Sequence, residues 1–250
     1  MTTYFDLSQP LQPGMTIFPG DPTPSFRPAD GVEQPWRVAD LRLGTHTGTH
    51  IDSVSHYFPG GKNVDQYPIS RFILPGIVLP VPGLSDDQAI SEEQVLNGLN
   101  KLPKGGAVLI QTDWDQYWNT DRYLRHPYLS LEAVLQVIGS KASLVGIDAL
   151  NVDSTAQATN HVHHFLLEKE ILIVENLTNL SNLQPGKVYQ FSFLPLRLAG
   201  MDGSPIRAVA WQPDHLLKRG ENAWQLQENG IHPERFSAKQ ASWSTKNSLI

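Results

Sequence analysis

The order of its predicted elements indicates that this chain is a single globular domain of the α/β or α+β class. Short apolar runs with the composition of β-strands alternate along the chain with amphipathic stretches that have helical spacing. With 250 residues, 40% of them hydrophobic and 18% charged, the chain is long enough to bury a sizeable core. No internal repeat or heptad pattern stands out, so neither a solenoid nor a coiled coil is indicated.

The N-terminal part is predicted to be mostly loop, with two short strands. Tyr4 to Leu7 has the pattern of the first strand. A proline-rich passage follows, in which residues 18–22 (Phe-Pro-Gly-Asp-Pro) form a rigid loop that either walls a pocket or reverses the chain. Residues 36–43 alternate apolar and charged side chains, which predicts a half-buried strand leading into the next loop.

The rest of the chain alternates apolar runs with helical segments. A capping box, Ser91-Glu92-Glu93-Gln94, marks the start of the first helix. In order, the predicted elements are a strand from Ile73 to Val81, a helix to Leu102, a strand from Ala107 to Gln111, a helix from Leu129 to Ile138, a strand from Leu144 to Leu150, a helix up to Glu170, a strand from Ile171 to Val174, and strands from Tyr189 to Leu198 and from Pro205 to Trp211. We therefore expect a domain at residues 1–211, with a more polar extension at 212–250 that packs on it or on a neighbouring subunit.

Composition narrows the possible functions and partners. The formal charge is −6 and no basic cluster appears, so nucleic acid is not an expected partner. We expect no membrane association and a cytoplasmic location, because the sequence has no signal-like start and no apolar run near 18 residues. Cysteine is absent, so any metal must be bound by nitrogen and oxygen ligands.

Four side chains that can bind a metal lie within eleven positions: His46, His50, Asp52 and His56. Imidazole and carboxylate ligands suit Zn, Mn and Fe, and a set of two His and one carboxylate leaves coordination positions for water and substrate. In an extended strand His46 and His50 would be about 13 Å apart, so the chain must bend between them, and Gly48 is the natural place. His56 is predicted either to bind the ion or to transfer protons.

Two further groups of residues are candidates for a site. Aromatic side chains, Trp114, Tyr117 and Trp118, follow a predicted strand end, where they can line a ligand pocket or pack in a hydrophobic seam. Later, His161, His163 and His164 precede a buried strand that ends at Glu175. Asp148 and Asp153 lie between these groups and are predicted to support ligands or to make turns. His126, which precedes a proline, is predicted to be a surface residue.

The motif His46-x-Gly48-Thr49-His50-x-Asp52-x3-His56 resembles the signature of the metal-dependent cyclase family, which includes bacterial kynurenine formamidases and isatin hydrolases. Further similar landmarks occur in family order between about residues 4 and 211. They include residues 18–22, Thr112-x-Trp114, Glu175-Asn176-Leu177 and residues 203–208. The chain departs from the family pattern at Val54, where proline is common, and at Asp113, where glycine is common.

The resemblance implies a three-layer β/β/α architecture of the swivelling-domain type, assembled as a homodimer or homotetramer. It implies two divalent ions, Zn or Mn, and assigns to them the residues that match the family ligands: His46, His50, Asp52, His163 and Glu175. His163 matches because it lies twelve positions before the glutamate. His56 falls on the position of the proton shuttle. We also expect Phe18, Trp114, Tyr117 and Trp118 to contact substrate.

The function expected from these residues is hydrolysis of a non-peptide C–N amide bond by metal-activated water. The small-molecule substrate predicted first is an aryl formamide such as N-formylkynurenine. A cyclic imide or lactone such as isatin is the alternative within the same chemistry. Two other classes remain open: a metal-binding protein without catalysis, and a sugar- or small-acid-binding module that uses the aromatic residues alone.

Overall fold

The computed structural model describes residues 2–212, so the predicted extension at 212–250 lies outside the described residues apart from Gln212. Within that range the strands and helices follow in this order: β1 (Tyr4–Asp6), β2 (Ser25–Pro28), β3 (Ala39–Arg42), β4 (His50–Asp52), β5 (Ile73–Pro80), β6 (Ala89–Ile90), α1 (Glu92–Leu99), β7 (Ala107–Gln111), β8 (Tyr128–Leu129), α2 (Leu131–Gly139), β9 (Leu144–Ile147), α3 (His161–Glu168), β10 (Leu172–Glu175), β11 (Tyr189–Ser192), β12 (Gly203–Pro205) and β13 (Val209–Trp211).

Nine of the strands form one mixed sheet in the order β1-β13-β11-β5-β7-β9-β10-β4-β12. Its centre, β5-β7-β9-β10, is parallel, and its strands are almost continuously buried, as parallel strands covered on both faces are. Both flanks are antiparallel. The sheet therefore ends, on one side, in the strands that carry the histidine motif and the glycine-rich turn.

Two hydrophobic cores lie on opposite faces of the parallel strands. On one face, Val108 and Ile110 of β7 pack with the buried side chains of α1, α2 and α3. On the other face, Leu109 packs with Phe191 and with residues from the antiparallel flank of the curled sheet. The helices, the central strands and the curled flank thus make three layers, and the predicted β/β/α architecture of a single domain is confirmed.

The strand expected at residues 36–43 differs from its prediction. β3 pairs only with β2, and seven of the eight residues in this ribbon are exposed, so the prediction of a half-buried strand was wrong. Trp36 and Leu41 have exposed fractions of 72% and 58%. The alternation of side chains was present, but nothing in the described part of the chain covers the apolar face of the ribbon.

The first helix is three residues shorter than predicted, because it ends at Leu99 rather than Leu102. Its start agrees with the capping box, since the Gln94 side chain accepts a hydrogen bond from the Ser91 backbone N–H at 2.9 Å. None of the helices among residues 2–212 has the length and apolar character needed to cross a membrane.

Candidate metal centre

The histidine motif bends at Gly48, as its spacing predicts. Gly48 has φ +67°, a conformation that glycine adopts without strain, and a Cβ there would collide with the Leu11 side chain. After the bend, β4 begins at His50. The rings of His46 and His50 consequently lie 5.0 Å apart, centroid to centroid, and nearly perpendicular.

Strand pairing brings the second group of candidate ligands to the first. β4 runs antiparallel to β10, with His50 directly opposite Glu175. His50 Nε2 lies 3.3 Å from Asp52 Oδ1 and 3.6 Å from Glu175 Oε2. His163 Nε2 lies 3.6 Å from Asp52 Oδ2 and 3.5 Å from Glu175 Oε1. One ligand atom each from His50, Asp52 and Glu175 lies within 4.8 Å of the other two, so these three side chains can share one divalent ion. His163 Nε2 lies beside the other oxygens of the same two carboxylates.

A second group shares Asp52 with the first. His46 Nδ1 lies 2.7 Å from Asp52 Oδ1, and the ring of His56 is 4.0 Å from that of His46. Nitrogen and oxygen atoms of His46, Asp52 and His56 lie within 4.8 Å of one another, as do those of His50, Asp52 and Glu175. Asp52 is therefore placed where one carboxylate can serve two neighbouring ions.

The electrostatics of the cluster favour a cation. Asp52 and Glu175 are almost fully buried, and Asp52 Oδ2 has no hydrogen-bond partner. Burial and the neighbouring Asp52 charge raise the pKa of Glu175. For His163, burial alone would lower the pKa, but Asp153, Asp52 and Glu175 raise it to about 10. A buried acceptor without a partner beside a second buried carboxylate is the arrangement that a divalent ion neutralises.

Both buried histidines are held so that Nε2 faces the cluster. His163 Nδ1 donates to Asp153 Oδ2 at 2.9 Å, and the same oxygen accepts the His163 backbone N–H. His50 Nδ1 donates to the Gly48 carbonyl at 2.8 Å. Metal-binding histidines are commonly fixed by such bonds. Asp153 also accepts the Val162 backbone N–H at 3.0 Å, so its contacts fit both of its predicted roles, support of a candidate ligand and a local backbone turn.

Asp148 has a different role, away from the ligands. Its carboxylate accepts hydrogen bonds from the backbone N–H groups of Thr112 and Asp113 and from the Thr112 hydroxyl. These bonds anchor the loop after β7. Although they favour the ionised form, burial raises the pKa of Asp148 to about 7.

Asp202 belongs to the site, and sequence reasoning missed it. It follows the turn before β12, and its Oδ2 lies 2.9 Å from His46 Nε2 and 3.0 Å from His56 Nδ1. Hydrogen bonds from both imidazoles keep the pKa of this carboxyl well below its ordinary value. An aspartate in a glycine-rich turn usually makes the turn itself, so its residue type gave no signal.

A cavity of about 280 Å³ opens above the cluster. Its floor includes His46, His50, His56, His163 and Glu175. Its wall contains apolar groups, Ile17, Phe18, Tyr57 and Leu150, and polar groups, Asp21, Asn151, Thr159 and Asn160. The rigid loop at residues 18–22 thus walls a pocket, which was one of its two predicted roles.

The structure does not bring Trp114, Tyr117 and Trp118 to this cavity. Trp114 is 2% exposed and lies in the helix-side core, where Tyr117 and Trp118 pack against it. The Arg122 guanidinium lies 4.0 Å from the centre of the Tyr117 ring. Tyr57, which sequence reasoning did not select, is the aromatic side chain that accompanies Phe18 at the cavity.

Within residues 2–212, the three other histidines lie outside the ligand cluster. His161 and His164 do not line the cavity, and the His164 ring packs near Tyr57 and Phe58. His126 was predicted at the surface, and that prediction was wrong, because it is 2% exposed. Its two ring nitrogens hydrogen-bond to the Pro127 carbonyl and to the Thr155 hydroxyl.

The fold and the site together define a class: a mixed α/β hydrolase with a buried His/Asp/Glu cluster at the floor of an open pocket. The chain belongs to the cyclase family, whose model, described as putative cyclase, matches residues 5–154. It is 29% identical over 212 residues to the kynurenine formamidase of Bordetella avium, covering 84% of this chain and 98% of that protein. It is 30% identical over 211 residues to that of Bacillus cytotoxicus, covering 82% and 96%.

Solved structures show the same fold. Isatin hydrolase A from Labrenzia aggregata, bound to benzyl benzoate, superposes with a TM-score of 0.75 at 22% identity, covering 84% of this chain and 93% of that one. A protein from Bacillus stearothermophilus described as a predicted metal-dependent hydrolase gives 0.71 at 22% identity, covering 84% and 98%. The family match and the two kynurenine formamidase relatives confirm the predicted family and enzyme class, an amidohydrolase of the cyclase family.

Proposed function

We propose that the enzyme hydrolyses the C–N bond of an aryl formamide, with N-formylkynurenine as the first candidate, and that it depends on divalent metal. The observation that carries this proposal is the convergence of His50, Asp52, His163 and Glu175 beneath an open cavity. The two relatives named kynurenine formamidase, which the chain matches over nearly their whole length, support the choice of substrate.

Two divalent ions, Zn or Mn, are proposed. His50, Asp52 and Glu175, which form one group of mutually close ligand atoms, would hold one ion, with His163 beside them as a further ligand. His46 with Asp52, from the other group, would contribute to the second ion. Bound there, such ions supply an activated water and a Lewis acid for a carbonyl oxygen. Asp52 Oδ2, which has no hydrogen-bond partner, fits this role. The Nε2 atoms of His50 and His163, which face the cluster, fit it as well.

His56 is proposed to take a proton from the attacking water on Nε2 and to deliver that proton to the leaving nitrogen. Its Nδ1 is tied to Asp202 Oδ2, so the ring is held in one orientation and Nε2 is left without a hydrogen bond among the described residues. His56 lines the cavity, where Nε2 can reach a substrate. An imidazole with a carboxylate on its far nitrogen is a common arrangement for proton transfer.

The cavity wall supports an aromatic substrate with a charged side arm. Phe18 and Tyr57 offer surfaces on which an aryl ring can stack. Asp21 lies on the same wall and can pair with an ammonium group. N-Formylkynurenine carries both features. Isatin carries only the ring, and the structural likeness to isatin hydrolases makes it the second candidate.

The test measures turnover of N-formylkynurenine and isatin side by side, before and after removal of metal with a chelator. We expect faster turnover of the formamide, loss of activity on chelation, and recovery when Zn or Mn is restored. Activity that survives complete chelation would exclude the metal mechanism. Preference for isatin would leave the metal mechanism intact and replace the substrate.

Assembly as a homodimer or homotetramer is also proposed. The exposed β2–β3 ribbon supports it, because an isolated two-stranded hairpin is marginally stable in water and this one leaves Trp36 and Leu41 uncovered. Light scattering would test it, with a Trp36→Ser variant expected to weaken the assembly.

A further inference from the structure

Asn176 holds an unusual position directly after the candidate ligand Glu175. It is 3% exposed and adopts φ +57°, a left-handed conformation uncommon for residues other than glycine. Its backbone N–H donates to the Ala149 carbonyl at 2.9 Å. The bend occurs where β10 ends, so the Asn176 side chain turns toward the histidine motif.

Asn176 contacts the peptide that holds His50. Its Nδ2 donates to the Gly48 carbonyl at 3.0 Å, and the same carbonyl accepts the His50 Nδ1–H at 2.8 Å. The Asn176 carbonyl accepts the Thr49 hydroxyl at 2.6 Å. The side chain and the backbone of Asn176 therefore hydrogen-bond to Gly48 and Thr49, the two residues that precede His50.

A hydrogen bond from Tyr123 fixes the orientation of the Asn176 side-chain amide. The Tyr123 hydroxyl, which is fully buried, donates to Asn176 Oδ1 at 2.9 Å. Burial raises the pKa of Tyr123 well above its ordinary value, so the hydroxyl keeps its proton and acts as a donor. With Oδ1 facing this donor, Nδ2 must face Gly48.

We infer that Asn176 is a positioning residue, which fixes His50 Nε2 and Glu175 relative to each other through the Gly48 carbonyl. Glu175 is the chain neighbour of Asn176. His50 is linked to Asn176 through the Gly48 carbonyl, which accepts a hydrogen bond from both side chains. One buried amide thus couples two candidate ligands that lie 125 positions apart in sequence. This role deepens the proposed function and rests on its metal site. Its consequence is a ligand set that is arranged before metal arrives, as tight binding requires.

The test is metal affinity, measured by competition with a chelating dye at a temperature where circular dichroism shows each variant folded. Asn176→Gly keeps the left-handed backbone without strain and removes only the amide. Asn179→Gly is the matched control, because Asn179 has φ +60° and its side chain bonds to the Asp6 carbonyl, outside the ligand cluster. We expect Asn176→Gly to weaken metal affinity by about 10- to 100-fold and Asn179→Gly to leave it within twofold of wild type.

Tyr123→Phe keeps the test decisive if Asn176→Gly does not fold. It deletes one hydroxyl, frees the Asn176 amide to rotate, and is expected to weaken metal affinity in the same direction. If wild type binds metal and the variant that folds binds it equally well, the inference is overturned while the proposed function stands. If wild type binds no metal, both are overturned.

Discussion

His50 and Glu175 face each other across the antiparallel pair β4–β10, with His50 Nε2 3.6 Å from Glu175 Oε2. Because side chains alternate between the two faces of a strand, this register also places Asp52, two residues after His50, on the same face. A slip of one residue would turn the ligands to the opposite face. The sheet itself is therefore the scaffold of the candidate metal centre.

Asp153→Asn should weaken metal binding through His163. The change removes the charge that accepts both the backbone N–H and the Nδ1–H of His163, so the ring loses its fixed orientation. We expect metal affinity to fall by about 10- to 100-fold, measured by chelator competition. Asp30→Asn, an exposed position with the same charge change, is the control. Equal losses in the two variants would contradict a specific role for Asp153.

His56→Ala should reduce turnover by about 100-fold or more while metal content is retained, because the leaving nitrogen would lack its proton donor. Asp202→Asn should act in the same direction, since an amide no longer favours the required tautomer of His56. Metal content must be measured in both variants, because Asp202 also contacts His46.

A substrate with a better leaving group separates proton transfer from other effects. An activated formate ester needs little protonation of its leaving oxygen, so the loss caused by His56→Ala should shrink on that substrate. A deficit of equal size on the formamide and on the ester would show that His56 does not act as the proton donor.

Phe18→Ala and Tyr57→Ala should raise KM for an aryl formamide, because both side chains line the cavity. Trp118→Phe should leave KM unchanged, since Trp118 packs against the helix-side core. Steady-state kinetics on the three variants tests the placement directly. A large rise in KM for Trp118→Phe alone would restore the expectation drawn from the sequence.

The local part of the site was predictable because ligands close in sequence leave a spacing pattern. The bend at Gly48 follows from the reach of an extended chain, and the structure has it. Bringing His163 and Glu175 to the same place requires strand order, which periodicity does not encode. The residues marked a second candidate group, but only the family resemblance selected His163 and joined this group to the first. No pattern in the sequence indicated Asp202, because its partners, His46 and His56, are some 150 positions away.

The direction of a side chain just after a strand end was the other feature that could not be predicted from the sequence. Trp114 turns into the core because the chain reverses at Asp113, which has φ +58°, the region that favours glycine. From sequence, an aromatic residue at this point is equally compatible with a pocket and with a core.

Gly48→Ala should cost stability and metal binding together. The left-handed backbone alone costs an alanine about 1–2 kcal/mol, and the clash of the new Cβ with Leu11 adds about 1–3 kcal/mol. Gly14→Ala is the control, since Gly14 has φ +78° and no atom near the site of a new Cβ. Urea unfolding should show a larger loss for Gly48→Ala, and equal losses would mean that the contact with Leu11 is unimportant.

His126 should make the free energy of unfolding fall on acidification. Burial lowers the pKa of this histidine below its ordinary value, although the Pro127 carbonyl acts in the opposite direction. The unfolded chain takes up a proton at about pH 6.5, whereas the folded protein resists protonation until a lower pH. Stability from this group is therefore complete above about pH 6.5 and is lost as pH falls toward the lowered folded pKa, with a slope of at most about 1.4 kcal/mol per pH unit.

His126→Asn removes this titration and also loses a buried hydrogen bond, so the variant should be less stable than wild type at pH 7.5. The difference in free energy of unfolding should narrow at pH 5.5, because only the wild type loses stability by keeping a buried imidazole neutral at that pH. Urea unfolding of both proteins at the two pH values, with chelator present so that metal binding does not contribute, measures it. A difference that stays constant would mean that His126 titrates alike in the folded and unfolded chains, which the burial of its ring argues against.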